Sequence, residues 1–303
     1  MKEKNKKGLK SIKKTNKIRN IDYEYSECDE VSKLKRNERI GAIVKILCDS
    51  PNKVYTLNYF TNMFNSAKST ISEDLVIVKK IMEELSLGKV VTLAGAAGGA
   101  KYVPMMGKEE KTALIEKICD EIKKPERIMP GRYLYMADIL YNPTYTKGIG
   151  DIFAERYSDE GHQVDYVLTV ETKGIPIAMM TARGLNVPLV IARHENKVTE
   201  GSKISINFIS GSTGSLQTMY IAKNAIKKES KVLIVDDFMK AGGTAKGMIQ
   251  LVEELECKVA GVCVLMDTIS PSKKLVEDYL SLIKFEGIDA QNEIIVHPNY
   301  EKL

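Results

Sequence analysis

The chain of 303 residues is 44% hydrophobic and 28% charged with a formal net charge of +5, the composition of a soluble globular protein with room for two domains. No apolar run reaches membrane-spanning length and the first residues lack a signal-peptide core, so membrane and secretory classes are excluded and we expect a cytoplasmic protein. The five cysteines show no CxxC spacing, which argues against a structural zinc site and against disulfides.

The chain begins with a strongly basic segment. Residues 1–20 contain nine Lys or Arg and the single acid Glu3. Such a segment cannot bury enough apolar surface to fold, so residues 1–35 are predicted to form a basic disordered arm. Two interpretations stay open, a solvated tail and an arm that binds nucleic-acid phosphates.

Three helices are predicted after the arm. Arg36–Asp49 has apolar residues at helical spacing and stops before a Ser-Pro pair. Thr56 is the expected N-cap of a second, short helix. Residues 66–75 lead into a third helix with one apolar stripe, and the polar residues at its start suit contacts to phosphates and base edges.

A hairpin is predicted to follow, with strands at 89–93 and 101–103 around the glycine-rich turn 95–99. Three helices and a hairpin are the plan of a winged helix-turn-helix, which we predict for residues 36–106. Because a strand follows the glycines, a wing is favoured over a nucleotide loop. A helical domain for dimerisation or docking is the alternative. The predicted DNA contacts are Lys68, Ser69, Thr70, Ser72, Lys89, Gly98, Gly99 and Lys101.

The remainder of the chain reads as an α/β domain. Residues 107–124 are predicted to be an amphipathic linker helix that Pro125 ends, and residues 125–303 a second domain. Strands alternate with helices there, which predicts a parallel sheet covered on both faces. Predicted strands lie at 164–170, 188–192, 232–235 and 260–266.

Residues 232–247 carry the strongest chemical signal of the chain. A buried strand, Asp236-Asp237, a Gly-rich turn and a helix start follow one another, and backbone N–H groups at such a turn bind anions. The adjacent carboxylates suit the hydroxyls of a sugar diol, with or without a metal ion. The pattern predicts a ribose 5-phosphate site, and an ordinary turn with surface acids is the alternative.

Other polar residues follow neighbouring strands. Glu171, Lys173-Gly174 and Arg193 come after predicted strands, and the carboxyl ends of parallel strands meet at one edge of the sheet. Lys173 and Gly174 suit a diphosphate, and a surface lysine is the alternative. Residues 198–218 are polar and rich in glycine and serine, as expected of a covering loop at such an edge.

Residues 236–244 resemble the phosphoribosyl diphosphate (PRPP) motif of type I phosphoribosyltransferases. Together with residues 36–104 and 197–202, they make the chain resemble the bacterial purine operon repressors. The resemblance implies an α/β protein with a small α+β domain, in which a winged helix precedes a type I phosphoribosyltransferase-like sheet. It also implies a homodimer that represses purine synthesis and transport genes from double-stranded operator DNA, and that PRPP induces.

The resemblance further implies which residues hold the effector. PRPP would bind with or without Mg²⁺, a purine nucleotide could compete for the same pocket, and no cofactor is obligatory. Tyr135 is the candidate to stack on a purine base. The residues assigned to PRPP or nucleotide are Asp236, Asp237, Phe238, Met239, Lys240, Ala241, Gly242, Gly243, Thr244, Lys173, Gly174 and Tyr135.

Two classes of function stay open at this point. The first is a regulator whose second domain only senses PRPP, and the second is an active purine (xanthine-type) phosphoribosyltransferase with an appended winged helix. Lys240-Ala241 stand where many of the enzymes carry small hydroxyl residues, whereas Phe238 resembles xanthine-type enzymes. The winged helix and the basic arm favour the regulator, so no residue is assigned as catalytic or as a metal ligand.

Overall fold

The computed structural model describes residues 34–95, 98–158, 163–195, 202–209 and 214–302. Residues 1–33, which make up nearly all of the predicted arm, lie outside the described residues. Within the described part of the chain, none of the helices has the length and apolar character needed to cross a bilayer.

The N-terminal domain has the predicted winged helix-turn-helix plan. Helices α1 (Arg36–Asp49), α2 (Leu57–Phe64) and α3 (Lys68–Glu84) surround a core that includes the fully buried Phe60 and Ile71. The Thr56 hydroxyl accepts a hydrogen bond from the Tyr59 N–H at 3.2 Å, which confirms the predicted cap of α2.

A buried ion pair joins α1 to α3. The Arg39 Nε lies 2.8 Å from Oδ2 of Asp74, and neither residue is exposed by more than a tenth. Arg36 also approaches Asp74, at 3.3 Å. Because both partners of the Arg39–Asp74 pair are desolvated, the pair fixes the position of α3 on α1.

The wing is a three-stranded sheet. Strands β2 (Lys89–Leu93) and β3 (Gly99–Val103) form the hairpin, and β3 also pairs with the two-residue strand β1 (Tyr55–Thr56). The return strand begins at Gly99, two residues before the prediction, because β1 extends the pairing there. A Cβ on Gly99 would lie 2.2 Å from the Tyr55 carbonyl oxygen, so this close approach needs glycine.

Helix α4 (Lys108–Ile122), predicted as a linker helix, packs against the core of the second domain. Its buried residues Ile115, Ile118 and Ile122 pack in one core with Phe153 of the domain that follows. The helix ends before Pro125, which instead opens a 3-10 turn, Pro125–Arg127.

The second domain is built on a six-stranded sheet. Its strands are β6 (Tyr166–Val170), β7 (Leu189–Ala192), β10 (Lys231–Met239), β11 (Lys258–Thr268), β12 (Leu280–Ile288) and β13 (Ile294–Pro298). The order is β13-β12-β11-β10-β6-β7, and every neighbouring pair is parallel except β12 with β13. The predicted parallel sheet is confirmed.

Helices cover both faces of this sheet. One face carries α6 (Pro143–Arg156) and α7 (Ile175–Leu185) with α4, and the other carries α8 (Gly243–Glu254). The remaining elements before the sheet are β4 (Ile128–Met129), β5 (Tyr133–Leu134) and α5 (Ala137–Leu140). Successive residues of β10 alternate between the two cores, so this strand is buried on both sides, as its apolar run predicted.

The polar segment predicted to cover the site contains a hairpin, as the resemblance to phosphoribosyltransferases implied. Strands β8 (Lys203–Ile209) and β9 (Leu216–Ala222) pair in antiparallel fashion, and their buried Phe208 and Met219 pack on α8 at Gly247. Residues 196–201 and 210–213 of the predicted loop lie outside the described residues. The hairpin is therefore anchored on the helix that begins at the predicted phosphate turn.

Candidate functional site

The acidic pair and the Lys-Gly turn meet at one edge of the sheet. Asp236 and Asp237 lie in the C-terminal half of β10. The strand continues to Met239 because it keeps pairing with β11. A Cβ on Gly174 would lie 2.7 Å from Oδ1 of Asp236, and the charge of Lys173 acts on the Asp237 carboxylate. The structure thus brings together the two segments that the sequence predicted to converge.

The two carboxylates are buried side by side. Asp236 is only 7% exposed, and its Oδ1 accepts a hydrogen bond from the Asp237 N–H at 2.9 Å. Burial, followed by the charge of Asp237, raises the pKa of Asp236 well above its usual range. Burial also raises the pKa of Asp237, against the opposing effects of Asp236 and Lys173. Desolvated acids that face each other mark a site prepared for a ligand or a cation.

The turn after β10 forms the start of α8. Gly242 adopts φ +85°, a left-handed conformation that favours glycine, and α8 begins at Gly243 without a side-chain cap. The N–H groups of its first turn are therefore available to an anion. A cavity at this turn is lined by Asp236, Phe238, Met239, Lys240, Gly242, Gly243, Thr244, Ala245 and Val264.

The end of β11 and the segment that follows it form hydrogen bonds to the turn. Sequence analysis did not predict these contacts. The Leu275 N–H donates to the Ala241 carbonyl at 2.9 Å, and the Thr268 hydroxyl donates to the Lys240 carbonyl at 3.2 Å. Lys274 donates to the Thr268 hydroxyl at 2.9 Å, and burial lowers its pKa. These contacts fix the turn whether or not a ligand is bound.

Asp267 is a further buried acid at this edge, and it was also missed. Its carboxylate accepts from the Tyr279 hydroxyl at 2.6 Å and the Ser281 hydroxyl at 2.8 Å, and Lys284 lies 2.9 Å away. These partners compensate its charge, unlike that of Asp236. The signal was present, because Asp267 directly follows the predicted strand 260–266 at its carboxyl end.

Glu171 and Arg193 are paired at the neighbouring strand ends. Arg193 Nη1 lies 3.3 Å from Oε2 of Glu171, and the His194 N–H donates to Oε1 at 2.7 Å. Burial alone would raise the pKa of Glu171, but these two donors hold it below its usual value. Glu171 therefore supports the strand ends rather than standing free for chemistry.

The two predicted aromatic candidates have different positions. The Phe238 ring lines the cavity and makes an edge contact with the Phe285 ring, with centroids 6.4 Å apart. Tyr135 is 46% exposed, its backbone pairs with Arg127, and it is not among the residues that line the cavity. Tyr135 was predicted to face a purine base rather than the 5-phosphate, and that assignment stays a prediction.

The first turns of α3 present the predicted DNA-binding residues. Lys68, Ser69 and Ser72 are exposed, and Thr70 is half-buried. Val76, one turn further on, is 66% exposed. Helix α3 has no side-chain cap at Ala67, so its first N–H groups are open to a phosphate. The four α3 residues therefore belong to one continuous surface at the helix start.

The predicted wing contacts do not share that surface. Lys89 and Lys101 line a cleft between the wing and the second domain, with Lys111 and Arg156. Gly99 is buried beneath β1, so it has no surface to offer to DNA, and the N–H of Gly98 is turned into the hairpin, bonding to the Gly95 carbonyl at 2.9 Å. The pairing of β1 with β3 buries Gly99, and the packing of the wing against the second domain places Lys89 and Lys101 in the cleft.

Fold and site together define a class of two-domain protein, a winged helix-turn-helix followed by a phosphoribosyltransferase fold with its phosphate turn. Comparison with known families agrees. Residues 35–104 match the family described as "Bacterial purine repressor, N-terminal", and residues 136–301 match "Phosphoribosyl transferase domain".

Curated relatives identify the family. The chain is 43% identical over 263 residues to the purine biosynthesis transcriptional repressor PurR of Bacillus subtilis, covering 87% of this chain and 92% of the relative. It is 40% identical over 262 residues to the purine biosynthesis transcriptional activator PurR of Lactococcus lactis, covering 86% and 96%. The xanthine phosphoribosyltransferase of Streptococcus pyogenes is 34% identical over 135 residues, 44% of this chain and 68% of the enzyme. The chain belongs to the bacterial PurR family of purine biosynthesis transcriptional regulators, which confirms the predicted resemblance.

Proposed function

We propose that the protein is a repressor of purine synthesis and transport genes that binds operator DNA and is released by PRPP. One observation carries the proposal. The buried Asp236, with Asp237 beside it, lies next to an uncapped helix start, in the same chain as a helix α3 whose first turn is exposed. A protein that acts on operator DNA in a bacterium works in the cytoplasm.

The pocket matches the parts of PRPP one by one. The Asp236 and Asp237 carboxylates accept the ribose hydroxyls. The first N–H groups of α8, with Thr244, receive the 5-phosphate, and the Lys173-Gly174 turn receives the diphosphate. A purine nucleotide shares the ribose phosphate and competes for the same groups.

Magnesium fits this arrangement as a companion of the ligand. Among the described residues there is no group of three or more His, Cys, Asp or Glu side chains placed to hold a metal. Magnesium commonly takes one or two carboxylates and completes its shell with substrate phosphates and water. Asp236, whose pKa is raised by burial and by the charge of Asp237, would hold the ion with Asp237 and the diphosphate.

The site supports sensing better than transfer. Transfer requires a base held against C1 of the ribose, with its proton managed. Lys240 occupies the turn where many of the enzymes carry a small hydroxyl residue. The Phe238–Phe285 contact and the similarity to a xanthine phosphoribosyltransferase favour the alternative, an active enzyme with an appended winged helix.

Repression is favoured over activation by the relative from Bacillus subtilis, which is named a repressor and covers almost the whole chain. The relative named an activator is nearly as similar, so the sign of regulation depends on where the operator lies. A dimer would present two α3 helices to the two halves of one operator.

Helix α7 connects the ligand pocket to the winged helix. It begins directly after Lys173-Gly174, has 11 residues and spans roughly 16 Å. Near its other end, the Gly184 carbonyl accepts a hydrogen bond from the Asn52 side chain at 2.8 Å, and Asn52 also donates to the Ser158 hydroxyl at 3.2 Å. A shift of the helix start on PRPP binding would reach the winged helix through Asn52, which gives release from DNA a physical route.

Binding of the purified full chain to its own upstream DNA, at fixed salt and with increasing PRPP and Mg²⁺, tests this proposal. Release by PRPP, with no nucleotide formed when purine bases are added, is the expected result. Asp236→Ala with Asp237→Ala should keep DNA binding and lose release by PRPP. Indifference to PRPP together with nucleotide synthesis would establish the enzyme instead.

A further inference from the structure

A second concave site lies between the two domains. The cleft has a volume of about 470 Å³ and is remote in the chain from the phosphate turn, with which it shares no lining residue. The lining residues are Lys89, Val91, Lys101, Val103, Met105, Lys111, Ile152, Glu155, Arg156, Ser158, Leu280 and Lys302.

One wall of the cleft is the outer face of the wing. In the β2–β3 hairpin, Lys89 pairs with Val103 and Val91 with Lys101, so these four side chains share one face. The opposite face carries Val90 and Ala100, which are buried in the winged-helix core. Strand alternation therefore turns two lysines and two valines toward the second domain.

The facing wall comes from the second domain and is held in place. The end of α6 supplies Glu155 and Arg156, and Ser158 follows it. Asn52 bridges the walls, because its amide donates to the Ser158 hydroxyl at 3.2 Å and its Oδ1 accepts from Lys101 at 3.2 Å. The cleft thus has defined walls from both domains.

The charge of the cleft is strongly unbalanced. Five of its lining residues are basic, and Glu155 is its one carboxylate. That carboxylate forms an ion pair with Lys111, whose Nζ lies 2.7 Å from Oε1 of Glu155. Within the described ranges, no acidic partner is found for Lys89, Arg156 or Lys302. The cleft therefore offers several free cations to an anion.

In the rest of the lining, Ser158 is polar, and Val103, Ile152 and Leu280 are buried. The half-buried Val91 and the exposed Met105 are the apolar side chains that a flat ring can cover. The volume of the cleft is typical of ligand sites, and its lining combines apolar side chains with basic ones. Arginine and lysine together are the usual receptors of phosphate groups.

We propose that the cleft binds a nucleoside triphosphate, with the base on the apolar wall and the phosphates on Lys89, Arg156 and Lys302. A duplex is disfavoured as the occupant, because a concave cleft of about 470 Å³ admits a small molecule, whereas the DNA backbone needs a broad surface. The proposal concerns binding alone and does not rest on the effector pocket.

Calorimetry with the full chain tests the site directly, using ATP and GTP at fixed ionic strength in the presence of saturating PRPP. We expect one nucleotide to bind per chain, and Arg156→Ala to weaken that binding by roughly tenfold or more. Arg156→Lys should restore part of the affinity. Lys228→Ala, which removes a single charge from a side chain that is 68% exposed and outside the cleft, should change nothing.

Several results would overturn the proposal. They are absence of nucleotide binding, displacement of the nucleotide by PRPP, and equal affinity in Arg156→Ala. Equally tight binding of inorganic triphosphate would show that the apolar wall plays no part and would remove the nucleotide from the proposal. Unchanged nucleotide binding with weaker DNA binding in Arg156→Ala would make the cleft part of the DNA interface. Arg156 is exposed, and a melting curve of each variant separates loss of the site from loss of the fold.

Discussion

Two buried carboxylates in this chain have opposite surroundings. Asp74 of the winged helix lies 2.8 Å from the Arg39 guanidinium. Asp236 of the second domain is buried to a similar degree, but its neighbour is another carboxylate, Asp237. The first acid is compensated within the protein and serves the fold. The second is uncompensated, and such a group is retained where a ligand or cation supplies what the protein does not.

The largest expected effect comes from breaking the compensated pair. Asp74→Ala leaves the buried Arg39 guanidinium with the neutral Leu34 carbonyl as an acceptor and without the carboxylate that balances its charge, so the free energy of unfolding should fall by about 3–5 kcal/mol. Denaturant unfolding of the two proteins measures the difference. Glu73→Ala is the control, because the Arg36–Glu73 pair is exposed and is expected to contribute about 1 kcal/mol or less. Equal losses in both variants would contradict the role of the Arg39–Asp74 pair.

Substitution of the uncompensated acid, Asp236, should increase the free energy of unfolding rather than lower it. Asp236→Asn keeps the shape of the side chain and removes the repulsion, so the free energy of unfolding at neutral pH should rise by about 1 kcal/mol. The same variant should lose release from DNA by PRPP. A destabilised variant, or one that PRPP still releases, would show that Asp236 is a structural residue like Asp74.

The pH dependence of that difference follows from the raised pKa of Asp236. The Asp236 carboxyl loses its proton at a lower pH in the unfolded chain than in the folded protein. The stabilisation from its protonated form is therefore fully present below about pH 4 and is lost as pH rises through the folded pKa. The difference in free energy of unfolding between Asp236→Asn and the natural chain should therefore vanish in acid and grow as pH rises. A difference that is constant with pH would exclude charge as the cause.

A smaller effect is expected at the contact between the domains. Asn52→Ala removes the bonds to Gly184, Ser158 and Lys101, and none of these residues is assigned to PRPP in the pocket, so PRPP affinity measured alone should be nearly unchanged. The coupling free energy between PRPP binding and DNA binding should fall by roughly 0.5–2 kcal/mol. Asn224→Ala, at an exposed position after β9, is the matched control. Full coupling in Asn52→Ala would exclude the route through α7.

The smallest effect on the fold should follow from deleting residues 1–20, whose composition predicts little buried apolar surface. Stability should not change, whereas affinity for any duplex should fall. The log–log dependence of affinity on salt should flatten by about 0.9 for each phosphate contact that is lost. An unchanged salt slope would leave the arm without a role in DNA binding.

The parts of the fold that the sequence predicted are those with strong local signals. The run Val232-Leu233-Ile234-Val235 can only be buried on both sides, and Thr56 caps α2 through a contact three residues away. Strands β12 and β13 and the two-residue β1 were missed, because their stability comes from pairing with distant strands. Helix α4 was assigned as a linker because an amphipathic pattern does not say which core receives it.

The residues of the candidate site also divide into those with a local sequence signal and those that only the fold brings together. Asp236, Asp237 and the turn to Thr244 are contiguous, so their order in the chain was enough to predict a common site. Asp267, Lys274 and Lys284 approach this edge only through the sheet and the loop after β11. The positions of Lys89 and Lys101 in the interdomain cleft depend on the packing of two domains, which no local pattern encodes.

The measurement that tests the central claim most directly is PRPP affinity with and without operator DNA. If the pocket and helix α3 are coupled within one chain, DNA must weaken PRPP binding by the same factor by which PRPP weakens DNA binding. Titration calorimetry at one salt concentration gives both factors. Equal factors well above one are the predicted result, and PRPP affinity that is indifferent to DNA would contradict it.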